Sequence, residues 1–384
     1  IFAINLVNMI IQRSVQEKIE EKLNSGKVIL LLGARRTGKT FLIKQIIKNI
    51  NLPYLLLNGE DFQVAAKLEN KSISEYKQLV GNNKLLIIDE AQKIKDIGNI
   101  LKLMIDEISG LTIMATGSSV FDLTQKLGEP LTGRNINFKV FPIAQYELKN
   151  TENVIETFSN LEQRLILGSY PELFSLPGYT EKQEYLSELV NSFLLKDILE
   201  LDSIKNASKI LNILRLLAFQ VGSEVSFSEI GQKVALSRNT VERYIDLLEK
   251  TFIIYRLGGF NKNLRKEISK NSKYYFWDNG IRNAVISNFN PLSLRNDVGQ
   301  LWENYVISER LKYLTYQRIS TNVFFWRTYD QQEIDWVEER GGMLLAFEIK
   351  YIQNKVKIPV AWKEAYPESE FAVISKENYL GFIS

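Results

Sequence analysis

The 384-residue chain contains neither histidine nor cysteine. Without thiols there is no disulfide framework and no thiolate nucleophile; without either side chain there is no Cys/His zinc site and no imidazole general base. Chemistry is left to carboxylates, lysine, hydroxyls and hard metal ions. The missing cysteine fits a reducing compartment, and the cytoplasm is the expected location. An excess of either charge is lacking too: 48 basic against 45 acidic residues give +3, too mild by itself to imply a nucleic-acid partner. Long apolar runs are scarce as well. The opening IFAINLVNMII is broken by Asn5 and Asn8 and has no positive stretch before it, so it reads as neither a membrane span nor a signal peptide, and no membrane partner is expected; Met9 is a candidate start. What is present is ordinary: 45% hydrophobic and 24% charged residues, in a chain long enough for two or three domains.

Behind the apolar run Val28 to Leu32 stands Gly33-Ala34-Arg35-Arg36-Thr37-Gly38-Lys39-Thr40, the G-x-x-x-x-G-K-[ST] phosphate loop. Its glycines let backbone N–H groups turn toward a β-phosphate, with Arg36 and Thr37 part of the cradle. Lys39 adds charge at the β/γ-phosphates, Thr40 offers a hydroxyl to Mg²⁺, and the next helix points its positive end at the anion. Phe41, Leu42, Ile46 and Ile50 recur at helical spacing, which predicts that helix. A nucleoside triphosphate, ATP with Mg²⁺, is the expected ligand.

Tyr54 to Leu57, Leu85 to Ile88 and Leu111 to Ala115 are further apolar runs. Continuous hydrophobicity predicts strands covered on both faces, hence a parallel α/β sheet. Asp89 and Glu90 emerge at the carboxyl end of one of them, where open α/β sheets bind ligands. Asp89 is placed to hold Mg²⁺ and Glu90 to orient or deprotonate the attacking water. Ser118, in Met114-Ala-Thr116-Gly-Ser118-Ser119, is a candidate γ-phosphate sensor, an ordinary turn being the alternative. Arg134 is a candidate cationic finger, in cis or in trans; a surface arginine fits nearly as well.

GARRTGKT, LLIIDEAQ, ATGSS, LTGR, KVFPIAQYEL and GSYPEL together resemble, in that order, the bacterial and archaeal AAA-like P-loop ATPases that carry a C-terminal domain of unknown function. The resemblance spans nearly the whole chain. It implies an ATPase module followed by a winged helix and a restriction-endonuclease-like domain. GSYPEL departs from the pattern, since members more often have a second glycine and a different aromatic there.

In the middle of the chain, Phe227 to Val234 and Leu236 to Ile245 read as two short helices, with Ser228 and Ser237 as N-caps. Val241, Ile245 and Leu248 are expected to face the core, and Arg238, Asn239 and Arg243 to face out at the end that a recognition helix places in a groove. Residues 256–273 then hold six basic residues against one acidic, a local excess larger than that of the whole chain. A basic wing, with Lys262, Arg265 and Lys266, favours contact with nucleic-acid phosphates. Protein contacts are the alternative, since Glu242 and Asp246 dilute the charge.

Near the C-terminus, Glu333-Ile-Asp335-Trp-Val337 and Phe347-Glu348-Ile-Lys350 alternate strictly. In such strands Ile334 and Trp336 face one way, Glu333 and Asp335 the other. A hairpin would let Asp335, Glu348 and Lys350 meet, with Glu303 as one more carboxylate. Paired carboxylates bind Mg²⁺, and a lysine can position water. The pattern resembles the PD-(D/E)xK nuclease core, with Ile334 where many members have proline; two strands with a solvated polar face are the alternative.

The expected architecture is therefore α/β, with an AAA-like P-loop core at 1–150, a helical lid or connector at 151–205, a winged helix at 206–275 and an α+β restriction-endonuclease-like domain at 276–384. The expected function is a Mg²⁺-dependent ATPase acting with DNA. Its rival is a nucleotide-switched scaffold whose nuclease-like domain is inert and binds protein.

Overall fold

A computed structural model of the chain describes residues 10–69, 71–117, 131–194, 207–261, 272–352 and 356–384. Five strands, β1 (Val28–Leu32), β2 (Tyr54–Asn58), β3 (Leu85–Asp89), β4 (Thr112–Gly117) and β5 (Asn135–Lys139), form an all-parallel sheet in the order β2-β3-β4-β1-β5. β1 and β4 are buried throughout, as continuous apolar runs require when helices cover both faces. β2 is different: it lies at the sheet edge and its residues are only half covered, with Tyr54 and Leu56 exposed. The helix Lys39–Asn49 buries Leu42, Ile43 and Ile46, while Phe41 points outward against expectation.

Short helices follow at Val154–Ser159, Leu161–Leu167 and Tyr179–Glu188. Then come the helix Ala207–Phe219, β6 (Glu224–Val225), the helices Phe227–Val234 and Arg238–Lys250, and the antiparallel pair β7 (Ile254–Gly259) and β8 (Ser272–Phe276), with β6 along β8. Ser226, not Ser228, caps the first of the paired helices, accepting from the Glu229 N–H; Ser237 caps the second through the Thr240 N–H. The capping oxygen must precede the first helical residue, and Phe227 already belongs to the helix. Val241, Ile245 and Leu248 are buried and Arg238, Asn239 and Arg243 exposed, as expected.

The C-terminal strands β9 (Asn322–Arg327), β10 (Glu333–Arg340), β11 (Met343–Ile349) and β12 (Glu370–Ile374) do not form a separate sheet. β9 pairs with β7 at Gly258↔Phe324 and Gly259↔Phe325, giving one seven-stranded sheet, β12-β11-β10-β9-β7-β8-β6, that runs across the expected 275/276 boundary. The strict alternation expected in β10 is broken by a register shift between Ile334 and Val337. Ile334 and Val337 share one apolar cluster with Trp326 and Trp362, whereas Trp336 turns to the main core, so Ile334 and Trp336 do not point the same way. A bulge re-aims side chains in this manner.

The helix Val298–Gln317 is buried along most of its length, including Asn304, Glu309, Arg310 and Lys312. Each of these has a partner. Asn304 bridges the Phe276 N–H (2.7 Å) and carbonyl (3.0 Å), Arg310 Nε meets Glu338 at 2.6 Å, and Lys312 meets Glu309 at 2.7 Å. Among the described residues no helix is long and apolar enough to cross a membrane. Replacing Asn304 by leucine removes the partner of the Phe276 N–H and that of its carbonyl, so Asn304→Leu should lower the unfolding free energy by about 2–4 kcal/mol, measured by denaturant titration. Unchanged stability would show that water or a rearranged side chain satisfies that peptide.

Candidate functional site

β1 ends in a loop whose two glycines have separate causes. A Cβ on Gly33 would stand 2.1 Å from the Val140 carbonyl, and Gly38 adopts φ +92°, a left-handed conformation costly for other residues. Arg36, also left-handed at φ +63°, lies exposed at the loop's crown. Thr37 braces the turn from within, its hydroxyl donating to the Ala34 carbonyl at 2.9 Å. Lys39 is buried and donates to the Gly33 (2.8 Å) and Ala34 (2.9 Å) carbonyls, which keeps its ammonium inside the loop.

β3 lies two strands away, across β4, and its end brings the acidic pair to this loop. Thr40 Oγ1 donates to Asp89 Oδ2 at 2.8 Å, and Thr116 Oγ1 donates to Asp89 Oδ1 at 2.5 Å while accepting from the Glu90 N–H at 2.8 Å. Thr40 and Asp89 therefore present two hard oxygens side by side, a donor set that fits Mg²⁺. Glu90 sits at φ +51°, and Gln92 Nε2 donates to its Oε2 at 2.6 Å, so the carboxylate is oriented rather than loose.

Arg134 is not near this site. It directly precedes β5, whose first residue pairs with Val28, the first of β1. The phosphate loop follows the other end of β1, roughly 16 Å away at about 3.3 Å per residue. There Arg134 Nε pairs with Asp106 at 2.6 Å, so as a finger in cis it is excluded by the parallel direction of the strands. Ser118 lies outside the described residues.

The second acidic group assembles largely as expected. Lys350 Nζ stands 2.6 Å from Glu348 Oε1 and 3.5 Å from Asp335 Oδ2, and the Ile349 N–H donates to Asp335 Oδ2 at 2.8 Å. Burial, reinforced by the charge of Asp335, pushes Glu348 above the usual carboxylate range, and its Oε2 is buried without a hydrogen-bond partner. Burial opposes the charge of Lys350, but Asp335 and Glu348 outweigh it and raise the ammonium.

Glu303 is engaged differently from the expected third metal ligand. The Tyr275 hydroxyl donates to it at 2.7 Å, Lys273 Nζ lies 3.8 Å away, and Gly222 packs against its carboxylate. Lys273 is buried and also pairs with Glu333, so it is not part of an exposed basic wing. Among the described residues no group of three or more acidic side chains is arranged to hold a metal ion. Asp335 and Glu348 are left as the candidate pair of carboxylates, with two ammonium groups interleaved among the acidic side chains. Lys262, Arg265 and Lys266 lie outside the described residues.

Arg13, Gln92, Thr116, Lys273 and Tyr275 are functional candidates not singled out from the sequence. Thr116 carried a signal, as a hydroxyl at the end of a buried strand within ATGSS. Arg13 and Lys273 carried none, because their partners are distant in the chain.

Residues 25–149 match the family described as AAA domain. Two families described as domain of unknown function match residues 158–292 (DUF8612) and 298–376 (DUF4143). An uncharacterized protein of Mycobacterium tuberculosis is 25% identical, over 89% of this chain and 74% of that protein. One of Haemophilus influenzae is 25% identical over 97% and 92%. Among solved structures, the Walker-type ATPase of Pyrococcus abyssi gives a TM-score of 0.46 at 18% identity, over 72% of this chain and 96% of that chain. Residues 25–149 thus combine a match to the AAA domain family with a parallel five-stranded sheet and a phosphate loop.

Burial and the charge of Asp335 also push Glu303 above the ordinary carboxylate range. A raised folded pKa penalises the ionised form, so stability is lost as pH rises from the ordinary carboxylate range through the folded value. Glu303→Gln should therefore raise the melting temperature relative to wild type at pH 8.5, with the gain vanishing near pH 4. A gain independent of pH would show that the charge of Glu303 is not what matters.

Proposed function

We propose that the chain binds Mg²⁺-ATP at residues 33–40 and hydrolyses it, and that this ATPase works with a DNA-binding winged helix and a nuclease-like C-terminal domain. The observation that carries the first part is the Thr40–Asp89–Thr116 hydrogen-bond chain beside the phosphate loop. Thr40 and Asp89 would hold Mg²⁺, which when bound supplies charge neutralisation at the β/γ-phosphates. Lys39 adds a second positive charge there. Glu90, steadied by Gln92, would orient the attacking water and accept its proton. Calorimetry and turnover test these roles separately. Lys39→Ala should abolish ATP binding, whereas Glu90→Gln should retain ATP and lose at least about a hundredfold in turnover, the scale of a lost general base. Equal ATP affinity in wild type and Lys39→Ala would refute the site.

The order of elements in 207–276, helix, short strand, two helices, then a two-stranded hairpin, supports the winged-helix reading, and Arg238, Asn239 and Arg243 are exposed where a groove-reading helix needs polar contacts. Divisions near residues 150, 205 and 275 remain the working domain limits, with β7 and β8 shared between the last two. The meeting of Asp335, Glu348 and Lys350 supports a nuclease-like centre in which the lysine steadies a water and the carboxylates hold a divalent cation.

One observation favours the rival, an inert domain on a nucleotide-switched scaffold: Lys273 and Lys350 already neutralise much of the acidic cluster. DNA titrations at several salt concentrations, with cleavage assays in Mg²⁺ or Mn²⁺, separate the two. A steep loss of affinity with salt, together with cleavage that Asp335→Ala abolishes while ATP turnover persists, is the expected result. No binding at low salt and no cleavage would establish the scaffold.

A further inference from the structure

Arg13 precedes the segment matched by the AAA domain family, yet its guanidinium is almost wholly buried against the phosphate loop. Nη1 donates to the Thr37 carbonyl at 2.7 Å, Nη2 to the Phe141 carbonyl at 2.7 Å, and Nε to Glu147 at 3.0 Å. Nη2 also donates at 3.1 Å to the hydroxyl of Tyr316, in the last turn of the helix Val298–Gln317. Burial opposes the charge, but Glu147 and Tyr316 outweigh it, so the guanidinium stays protonated.

The contact with Thr37 bears on phosphate binding through peptide geometry. The peptide bonds are trans, and in a trans peptide the carbonyl and the following N–H point in opposite directions. By drawing the Thr37 carbonyl toward itself, Arg13 turns the Gly38 N–H away, into the loop. That N–H is one of the donors a phosphate loop must aim inward. The Tyr316 hydroxyl accepts from Arg13 and from the Phe141 N–H, both at 3.1 Å, so the same cation touches the loop and the end of the long helix.

We propose that Arg13 is a positioning residue of the nucleotide site: it sets the Thr37–Gly38 peptide for phosphate binding and, through Tyr316, links loop occupancy to the C-terminal turn of the long helix. This rests on the ATP-binding reading above. Linkage requires the effect to be reciprocal, so a phosphate that fixes the loop also orders that turn.

The test uses the full chain, with ADP and ATPγS as probes. Arg13→Lys keeps the charge and loses the fork; it should weaken ADP by at least about tenfold in calorimetry, the scale of one charge-assisted hydrogen bond, while still unfolding cooperatively. Tyr316→Phe removes only the hydroxyl. It should bind ADP within about threefold of wild type, yet lose the protection from hydrogen exchange that ATPγS confers on residues 310–317 of the wild type. ADP binding by Arg13→Lys as tight as wild type overturns the positioning role. Protection that never reaches 310–317 in wild type, or survives in Tyr316→Phe, overturns the link; if Arg13→Lys does not fold, Tyr316→Phe decides alone. A wild type that binds neither probe overturns the nucleotide reading and this inference with it, whereas binding without the variant effects overturns only the inference.

Discussion

A long helix buried on nearly all sides cannot leave its polar groups to water, and this constraint organises the rest of the molecule. Between Asn304 and Tyr316 the helix carries an amide, a glutamate, an arginine, a lysine and two tyrosines away from solvent. Lys312 pairs with Glu309 within the helix, and the others reach neighbouring elements. Asn304 pairs with the end of β8, Tyr305 and Glu309 with Gln145, Arg310 with Glu338 on β10, and Tyr316 with Arg13. Removing one side of such a buried ion pair costs about 3–5 kcal/mol, while the intact pair contributes little net stability. The contribution of these contacts is therefore register: they fix which surface of the ATPase core meets the C-terminal sheet.

Seen this way, the two candidate sites are ends of one rod. Twenty residues of helix span roughly 30 Å, with Glu303 in the acidic cluster near one end and Tyr316 at the phosphate-loop support near the other. Side-chain hydrogen bonds to Gln145, to β10 and to Arg13 tie the helix along its length. The seven-stranded sheet adds a second connection, because β8 supplies Lys273 and Tyr275 to a centre whose other members come from β10, β11 and the helix. Neither sequence half can build that centre by itself.

What was legible in the sequence follows from how local each signal is. The phosphate loop is a run of eight residues whose chemistry is carried by its own backbone, and buried parallel strands announce themselves as apolar runs; both are found where expected. Asp335, Glu348 and Lys350 were legible because two short alternating segments flank a GG turn, and they pair as the hairpin such a turn joins. Position along a strand was not legible: LTGR stands close in sequence to a strand of the ATPase core, but only the parallel pairing of β1 and β5 shows that Arg134 is at the wrong end. The bulge in β10 likewise leaves no mark in a pattern that alternates perfectly. Arg13 and Lys273 were beyond reach, since nothing near them in sequence distinguishes a buried, paired cation from a solvated one.

The C-terminal centre brings buried carboxylates close together. Carboxylates alone would repel one another at this spacing, and burial raises Glu303 and Glu348 further. Two ammonium groups relieve that repulsion. Lys350 does so from just beyond the end of β11, two residues from Glu348, whereas Lys273 reaches in from β8 and ties itself to Glu333 and Glu303. The second lysine supplies positive charge where a bound divalent cation would otherwise do so. β8, the strand that carries Lys273, is hydrogen-bonded on both edges, to β6 and to β7. Lys273 is therefore fixed in the centre by the backbone pairing of β8 as well as by its ion pairs.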